Sequence, residues 1–293
     1  MKKILYFVFA ALALVACEPN NGATEKVRIG VSLDDNTQPA KGPQRISAVD
    51  GTEEIVIQWE KGDVLYYAKD VNSIANKKYF TLISGERSQT AVFECDNFEF
   101  DGESFNLYYH GLADPLNVQQ KGATNPNFAS PIPLDQTCTL NNGKTVINND
   151  YLVYKGVNCK IGNGIKLNPD FSLVGIILQG EGEFSSKVGV GTSFEVVQNT
   201  TSWLCGMSNG TVVNLANDPI YYIVLPANHD LTNHKIRLVS SRGHNISNEL
   251  DLPSVTLEPG VAQIFRIKLT RKEGTQIGAN DAYSIAKVTT VTE

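Results

Sequence analysis

Alternation of apolar and polar side chains at every second position is the dominant pattern in this chain. Between residues 26 and 33, Val27, Ile29, Val31 and Leu33 alternate with polar or small residues, which is typical of a strand with one buried face. Similar short segments recur almost to the end of the sequence, and no stretch of twelve or more residues repeats with the helical period of 3.6. The pattern predicts an all-β fold built from many short strands.

Dipeptides that favour tight hairpin turns separate these segments. Asp50-Gly51 and Asn142-Gly143 each lie between two strand-like runs, and Asn163-Gly164 and Asn209-Gly210 mark two further turns. Such pairs adopt the positive φ that two-residue hairpins require. Short strands joined by turns of this kind favour a β-sandwich over a parallel sheet with crossover helices. Other strands are predicted at residues 64–68, 78–83, 90–95, 104–109, 151–154, 172–178, 193–197, 211–215, 221–225, 235–240 and 261–270.

The amino terminus has the features of an export signal. Lys2 and Lys3 precede twelve uncharged apolar residues at positions 4–15, a run shorter than the roughly 20 residues that span a bilayer and typical of a signal peptide. Small residues then lead to Cys17. The pattern predicts a bacterial lipoprotein whose signal peptide, residues 1–16, is removed and whose Cys17 is acylated, with ordinary secretion as the alternative. Residues 17–25 are polar and form a predicted tether.

Charge argues against nucleic acid as a partner. The whole chain has a net charge of −6, and loss of the two signal-peptide lysines leaves 23 basic against 31 acidic residues, a net charge of −8. Phosphate backbones are bound by basic patches, and the sequence has no run of more than two Lys or Arg residues.

The cysteines do not form a recognisable metal or redox motif. With Cys17 acylated, four remain and none belongs to a C-x-x-C pair. Outside the cytoplasm they could form one or two disulfides, and they could equally be buried free thiols. The sequence leaves the two alternatives open for Cys95, Cys138, Cys159 and Cys205.

No catalytic or metal-binding constellation is predicted. Residues 206–210 match G-x-S-x-G, but the strand-like run that follows Ser208 favours a hairpin turn over a nucleophile elbow, which needs a helix there. His229 and His234 are five residues apart in a polar segment, and we expect solvated loop histidines. Residues 34–36 resemble only the start of a calcium loop. The sequence therefore predicts neither an enzyme nor a cofactor, and a β-sandwich hydrolase remains a minor alternative.

Aromatic pairs could provide a binding surface. Tyr66-Tyr67, Tyr108-Tyr109 and Tyr221-Tyr222 each direct one ring to either face of a predicted strand. We expect one ring of each pair in the core and the other at the surface, where it could stack on a sugar. Trp59 and Trp203 are predicted to be buried.

Several motifs together resemble the fimbrillin family, the pilin and pilus-associated lipoproteins of Gram-negative gut and oral anaerobes. The most distinctive is the W-x-x-G-D turn that leads into a strand at Trp59. One departure is the lack of the Phe-x-His that often opens the second domain, since Leu173 stands at the histidine position. The resemblance covers residues 26–271, and its motifs are Cys17, residues 45–48 (RISA), 56–65 (VIQWEKGDVL), 149–154 (NDYLVY), 221–226 (YYIVLP), 257–260 (LEPG) and 264–269 (IFRIKL).

The resemblance implies two tandem β-sandwich domains of transthyretin-like type, predicted here at residues 26–160 and 161–271. It also implies assembly by strand exchange, in which a trypsin-like protease cuts after Arg or Lys and a strand from another subunit replaces the strand removed. Arg45 is the predicted cleavage site and residues 26–33 are the displaced strand. Residues 272–293 form a predicted tail whose apolar residues alternate poorly, so the tail would be a mediocre donor strand.

The predicted function is a non-enzymatic fimbrial subunit, or an accessory or tip adhesin, held on the outer membrane by its lipid. Its partners would be other fimbrial subunits and a ligand on a host or bacterial surface. The alternative is a monomeric surface lipoprotein that binds glycans. An exposed Tyr or Trp platform would favour the alternative, whereas loss of the amino-terminal strand would favour the fibre subunit.

Overall fold

A computed structural model describes most of the chain from Lys26 to Val291. The described residues are 26–33, 47–49, 52–54, 59, 61–68, 79–98, 103–110, 132–141, 144–147, 151–192, 202–208, 211–240, 243–276, 280 and 282–291. They form an all-β protein in which Leu215–Asn217 is the 3-10 turn described over its full length. None of their helical segments is long and apolar enough to span a bilayer.

Seven strands form a closed sheet in the amino-terminal half of the chain. Its order is β1-β11-β10-β7-β4-β5-β6, with β6 returning to pair with β1. The seven strands are β1 (Lys26–Leu33), β4 (Val64–Ala68), β5 (Tyr79–Ser84), β6 (Thr90–Asp96), β7 (Phe105–His110), β10 (Val153–Cys159) and β11 (Ile165–Pro169). β2 (Ser47–Val49) and β3 (Thr52–Glu54) pair antiparallel in a separate sheet, and the turn predicted between them at residues 50–51 lies outside the described residues.

Two further sheets contain most of the remaining strands. A four-stranded sheet has the order β17-β12-β20-β21, and a six-stranded sheet has the order β19-β18-β14-β15-β8-β9. A two-stranded ladder joins β13 to β16. Their bounds are β8 (Asp135–Asn141), β9 (Lys144–Ile147), β12 (Phe171–Gln179), β13 (Glu183–Phe184), β14 (Lys187–Gly191), β15 (Ser202–Met207), β16 (Val213–Asn214), β17 (Ile220–Pro226), β18 (Lys235–Val239), β19 (Leu250–Asp251), β20 (Ala262–Arg271) and β21 (Tyr283–Thr290).

The buried strand β12 shows why the apolar pattern varies between strands. It lies between β17 and β20, antiparallel to the first and parallel to the second. Every residue from Phe171 to Leu178 is buried, because both faces of the strand are covered. Its sequence is therefore a nearly continuous apolar run, whereas β1 alternates because only one of its faces is buried.

The sheets do not follow the predicted boundary at residues 160 and 161. β8 and β9 precede it but belong to the six-stranded sheet, where β8 pairs in parallel with β15. β11 follows it but belongs to the closed sheet, where it pairs with β1 and β10. The division of the chain into two domains remains a prediction.

The four described cysteines are free, buried thiols, which resolves the alternative that the sequence left open. Cys138 and Cys205 lie near each other on β8 and β15, and the contact with Cys138 and burial both raise the pKa of the Cys205 thiol. Their registers differ by two positions, because Cys138 is opposite Met207. That offset places the two Cα atoms roughly 8 Å apart, beyond the span of an unstrained disulfide.

Candidate functional site

The strand β1 completes the closed sheet and is the centre of the candidate site. It pairs antiparallel with β6 from Lys26 opposite Asp96 to Ser32 opposite Thr90. On its other side it pairs in parallel with β11, from Val31 opposite Ile165 to Leu33 opposite Leu167. Because both edges of β1 are hydrogen-bonded, its removal would leave β6 and β11 without a partner on that side.

One face of β1 packs into the core as its alternation predicts. Ile29, Val31 and Leu33 are 3%, 2% and 8% exposed, and Val27 is half-buried against the same cluster. The four residues named in the sequence analysis therefore share the buried face. At about 1.5–3 kcal/mol for each buried side chain, the three most buried contribute on the order of 5–9 kcal/mol before the cost of ordering the strand.

The outward face of β1 is held by an ionic cluster at its amino-terminal end. Lys26 Nζ lies 2.8 Å from Glu94 Oε1 and 3.2 Å from Asp96 Oδ1, and Arg28 Nε lies 2.8 Å from Glu94 Oε2. Hydrogen bonds from Lys26 and then Arg28 lower the pKa of Glu94. The hydrogen bonds to Glu94 and then Asp96 raise the pKa of Lys26. These contacts fix the register of β1 against β6.

The W-x-x-G-D turn packs directly beside the strands that hold β1. Trp59 is 1% exposed, and its ring makes edge contacts with Phe93 at 4.9 Å and Tyr109 at 5.1 Å between centroids. Gly62 has a φ of +96°, which a side chain would strain. The hydroxyl of Tyr109 donates to Asp63 Oδ1 at 3.0 Å. The turn thus anchors β4 to β6 and β7, and the prediction that Trp59 is buried is confirmed.

Two of the predicted site residues cannot be placed. Cys17, the predicted lipid-bearing residue, and Arg45, the predicted cleavage site, lie outside the described residues. Leu33 is the last described residue before Arg45, and its amide donates to Gln89 O at 3.0 Å. Acylation and cleavage therefore stay predictions.

The tyrosine pairs do not form the surface platform that glycan binding would use. The expectation of one outward ring in each pair is wrong, because all six tyrosines are between 0% and 6% exposed. The sequence shows the two faces of a strand but not what covers each face. Trp203 is also buried, as predicted. The buried set is Tyr66, Tyr67, Tyr108, Tyr109, Tyr221 and Tyr222.

The expectation of solvated histidines is wrong at one position. His234 is 3% exposed, whereas His229 is half-buried and His244 is exposed. The Nε2 atoms of His229 and His234 lie 2.9 Å apart. Sequence spacing did not signal this contact because it depends on the path of the loop between β17 and β18.

The described part of the G-x-S-x-G segment is its first three residues, 206–208, because residues 209–210 lie outside the described residues. β15 ends at Met207, and the amide and hydroxyl of Thr211 both donate to Ser208 O, at 3.2 and 2.6 Å. The next described strand, β16, begins at Val213, whereas a nucleophile elbow leads directly into a helix.

The predicted tail contains a strand that pairs within its own chain. β21 lies antiparallel to β20, with a bulge where the register shifts between Lys268 and Leu269. Tyr283 and Ile285 are buried, and the hydroxyl of Tyr283 donates to Glu183 O at 2.9 Å. The bulge explains why the apolar residues of this segment do not alternate cleanly.

No family model and no curated protein sequence matches the chain. Among solved structures it is similar to a candidate cell adhesion protein from Bacteroides uniformis ATCC 8492, with 11% identity, a TM-score of 0.39, and coverage of 93% of this chain and 99% of that one. It is also similar to the tip fimbrial protein Mfa3 from Porphyromonas gingivalis, with 10% identity, a TM-score of 0.33 and coverage of 91% and 99%. The fimbrial anchor protein Mfa2 from the same organism gives 10% identity, a TM-score of 0.33 and coverage of 90% and 97%.

Proposed function

We propose that this protein is a non-enzymatic surface subunit of a fimbrial fibre, either an accessory subunit or a tip adhesin, that accepts a strand from another subunit. The observation that carries the proposal is the position of β1, which closes the seven-stranded sheet between β6 and β11. Proteolysis after Arg45 removes the lipidated Cys17, the tether and β1 together, and the incoming strand takes the place of β1.

The vacated groove has the chemistry of a strand acceptor. Release of β1 exposes unpaired backbone groups along β6 and β11, which are a template for another strand. It also exposes the apolar pockets of Ile29, Val31 and Leu33. An incoming strand is therefore selected by apolar residues at alternate positions.

The ends of β1 explain why it stays in place until it is displaced. After cleavage of the chain, the pairing with β6 and the contacts of Lys26 and Arg28 with Glu94 still hold the strand. Exchange therefore proceeds by competition for the groove, and the lipidated fragment remains bound until a better strand arrives.

The pairing of β21 favours a terminal or accessory position over a repeating stalk position. A repeating subunit must supply a strand as well as accept one. Here Tyr283 and Ile285 of β21 are buried in the subunit's own sheet, so their release would cost the contacts they make. The chain serves as an acceptor at or near the end of a fibre, at the surface of the outer membrane.

The finer organisation belongs to the same proposal. We assign two tandem β-sandwich domains of transthyretin-like type to residues 26–160 and 161–271, with strands β8, β9 and β11 crossing between their sheets. The partners are other fimbrial subunits, a surface ligand and the membrane that holds the Cys17 lipid.

Limited digestion of the purified protein with an Arg-specific protease tests this proposal. We expect one early cut after Arg45, a new amino terminus at Ile46, and fragment 17–45 still bound until a competing strand is added. A synthetic peptide of residues 26–33 should then enter the groove, and a peptide with Asp in place of Ile29 and Val31 should not. Arg45→Gln is the matched control and should abolish both the cut and the exchange.

Either of two results would contradict the proposal. One is a cleaved protein that never exchanges fragment 17–45 for the added peptide. The other is equal binding of the native and Asp-substituted peptides, since the apolar pockets would then not select the strand.

A further inference from the structure

The loop between β17 and β18 holds two imidazoles against each other. Nε2 of His229 and Nε2 of His234 are 2.9 Å apart, and the ring centroids are 4.9 Å apart with an interplanar angle of 89°. The proposed function does not use this pair, which lies in a loop between two strands outside the closed sheet that contains β1.

The backbone around the pair is firmly held. The amide of Leu257 donates to His229 O at 2.9 Å, and the amide of Leu252 donates to His234 O at 2.8 Å. Within the loop, the amide of His234 donates to Leu231 O at 2.9 Å. These bonds tie both histidines to the segment between β19 and β20, so the two side chains are positioned before any ligand arrives.

The hydrogen bonds of His234 determine which of its nitrogens is free. Nδ1 lies 3.2 Å from the carbonyl oxygen of Thr232, and a carbonyl only accepts, so Nδ1 carries the proton. In a neutral ring Nε2 is then a lone-pair acceptor, and His229 Nε2–H donates to it. A metal-binding histidine is commonly oriented in this way, with its other nitrogen donating to a backbone carbonyl.

An aromatic ring and an acidic side chain surround the two imidazoles. Burial and then the neighbouring His234 lower the pKa of His229. The ring of Trp203 stacks parallel to His234 at 6.4 Å and meets His229 edge-on at 4.8 Å. Asp230 is the acidic neighbour whose charge opposes the lowering at His229.

We propose that His229 and His234 form a binding site for a single divalent transition metal ion, with Cu²⁺ preferred, through their two Nε2 atoms. In a square-planar arrangement with metal–nitrogen distances of roughly 2.0 Å, adjacent nitrogens are about 2.8 Å apart, whereas a tetrahedral site needs about 3.3 Å. The observed 2.9 Å is the length of the hydrogen bond between the two rings, and it lies closer to the nitrogen spacing of a square-planar Cu²⁺ or Ni²⁺ site than to that of a tetrahedral one. Binding replaces the hydrogen bond between the two rings: the Nε2 proton of His229 passes through solvent to Nδ1 of the same ring, so that both rings bind as neutral imidazoles and no net proton is released.

Water completes the coordination. The described part of the chain contains no group of three or more His, Cys, Asp or Glu side chains that could hold a metal. The site is thus an open one with two protein ligands, and the order of affinities expected from ligand chemistry is Cu²⁺ above Ni²⁺ and Zn²⁺.

Trp203 provides a direct optical readout of binding. The chain has two tryptophans, so a Trp59→Phe variant leaves Trp203 as the single emitter. Titration of this untagged protein with Cu²⁺ should quench most of the Trp203 fluorescence and saturate at one equivalent. Electron paramagnetic resonance of the Cu²⁺-loaded wild type should show two nitrogen ligands.

Single substitutions decide whether the pair is the site. His229→Gln at the half-buried position should weaken Cu²⁺ binding at least tenfold, and His234→Gln should do the same if it folds. His244→Gln, at an exposed histidine, should leave the titration unchanged. Quenching that persists in His229→Gln, that does not saturate at one equivalent, or that is absent from the parent protein would overturn the proposal.

Discussion

At the scale of single residues, Gln136 joins two sheets through a buried amide. Its Nε2 donates to Val224 O at 2.7 Å and to Pro133 O at 2.9 Å, and its Oε1 accepts from the Val224 amide at 2.8 Å. Val224 lies on β17, an edge strand of the four-stranded sheet. The side chain of Gln136, which is 0% exposed, thus satisfies edge groups that would otherwise be buried without partners.

Replacement of Gln136 by Leu should destabilise the fold by about 2–4 kcal/mol, because the amide and carbonyl of Val224 would each lose a buried partner. Urea denaturation monitored by circular dichroism measures the change. Gln179→Leu is the matched control, because the side-chain amide of Gln179 donates its hydrogen bond to the exposed carboxylate of Asp218. Equal destabilisation by the two variants would show that the buried hydrogen bonds of Gln136 stabilise the fold no more than the exposed hydrogen bond of Gln179.

At the scale of the element, the charged end of β1 makes its pairing depend on pH. The folded-state pKa of Glu94 is lowered, so its contribution is fully present above the ordinary glutamate pKa of about 4.3 and is lost as pH falls through the lower folded value. The folded-state pKa of Lys26 is raised, so its contribution is present below the ordinary lysine value and is lost above the folded one. The pairing is strongest across the neutral range.

Acidification from pH 7 to pH 3 should therefore loosen β1 selectively. Amide hydrogen exchange in β1, corrected for the intrinsic effect of pH, should become about threefold faster. Glu94→Gln should show this faster exchange already at pH 7 and a smaller response to acid. Glu103→Gln, at an exposed carboxylate before β7, should behave like the wild type. A Glu94→Gln variant with wild-type exchange at pH 7 would contradict the role of the ionic cluster.

Strands with a simple burial pattern could be predicted from the sequence, and strands with an irregular one could not. β1 was predicted because Ile29, Val31 and Leu33 face one side and alternate with outward residues. β21 was missed because a bulge within it, at Ala286, shifts its register against β20. β11 was missed because it follows a glycine-rich turn that resembles a linker. The alternation of side chains identifies the faces of a strand and carries no information about which strand lies beside it.

At the scale of the whole molecule, parallel pairings join distant parts of the chain. β1 pairs with β11, β8 with β15, and β12 with β20. Parallel strands need long connections, so their partners are separated by many residues. The sequence therefore predicted an all-β chain but not which distant strands pair within one sheet.

The two tryptophans have different neighbours, which predicts a local response when β1 is removed. Trp59 packs on Phe93, whose neighbour across the ladder is Ile29 of β1. Trp203 lies on β15 in the six-stranded sheet and contacts His229 and His234 instead. Loss of β1 should therefore expose the surroundings of Trp59 and leave those of Trp203 unchanged.

Two single-tryptophan variants measure this difference. In Trp203→Phe cleaved after Arg45, dissociation of fragment 17–45 by mild denaturant should shift the Trp59 emission to longer wavelength, and addition of the peptide of residues 26–33 after the denaturant is removed should reverse the shift. In Trp59→Phe, the Trp203 emission should not move at either step. The same two variants with the added substitution Arg45→Gln are not cut after residue 45, and they control for the protease treatment. A shift at Trp203 as large as that at Trp59 would mean that β1 supports the whole molecule, and that its removal unfolds the chain instead of opening an acceptor groove.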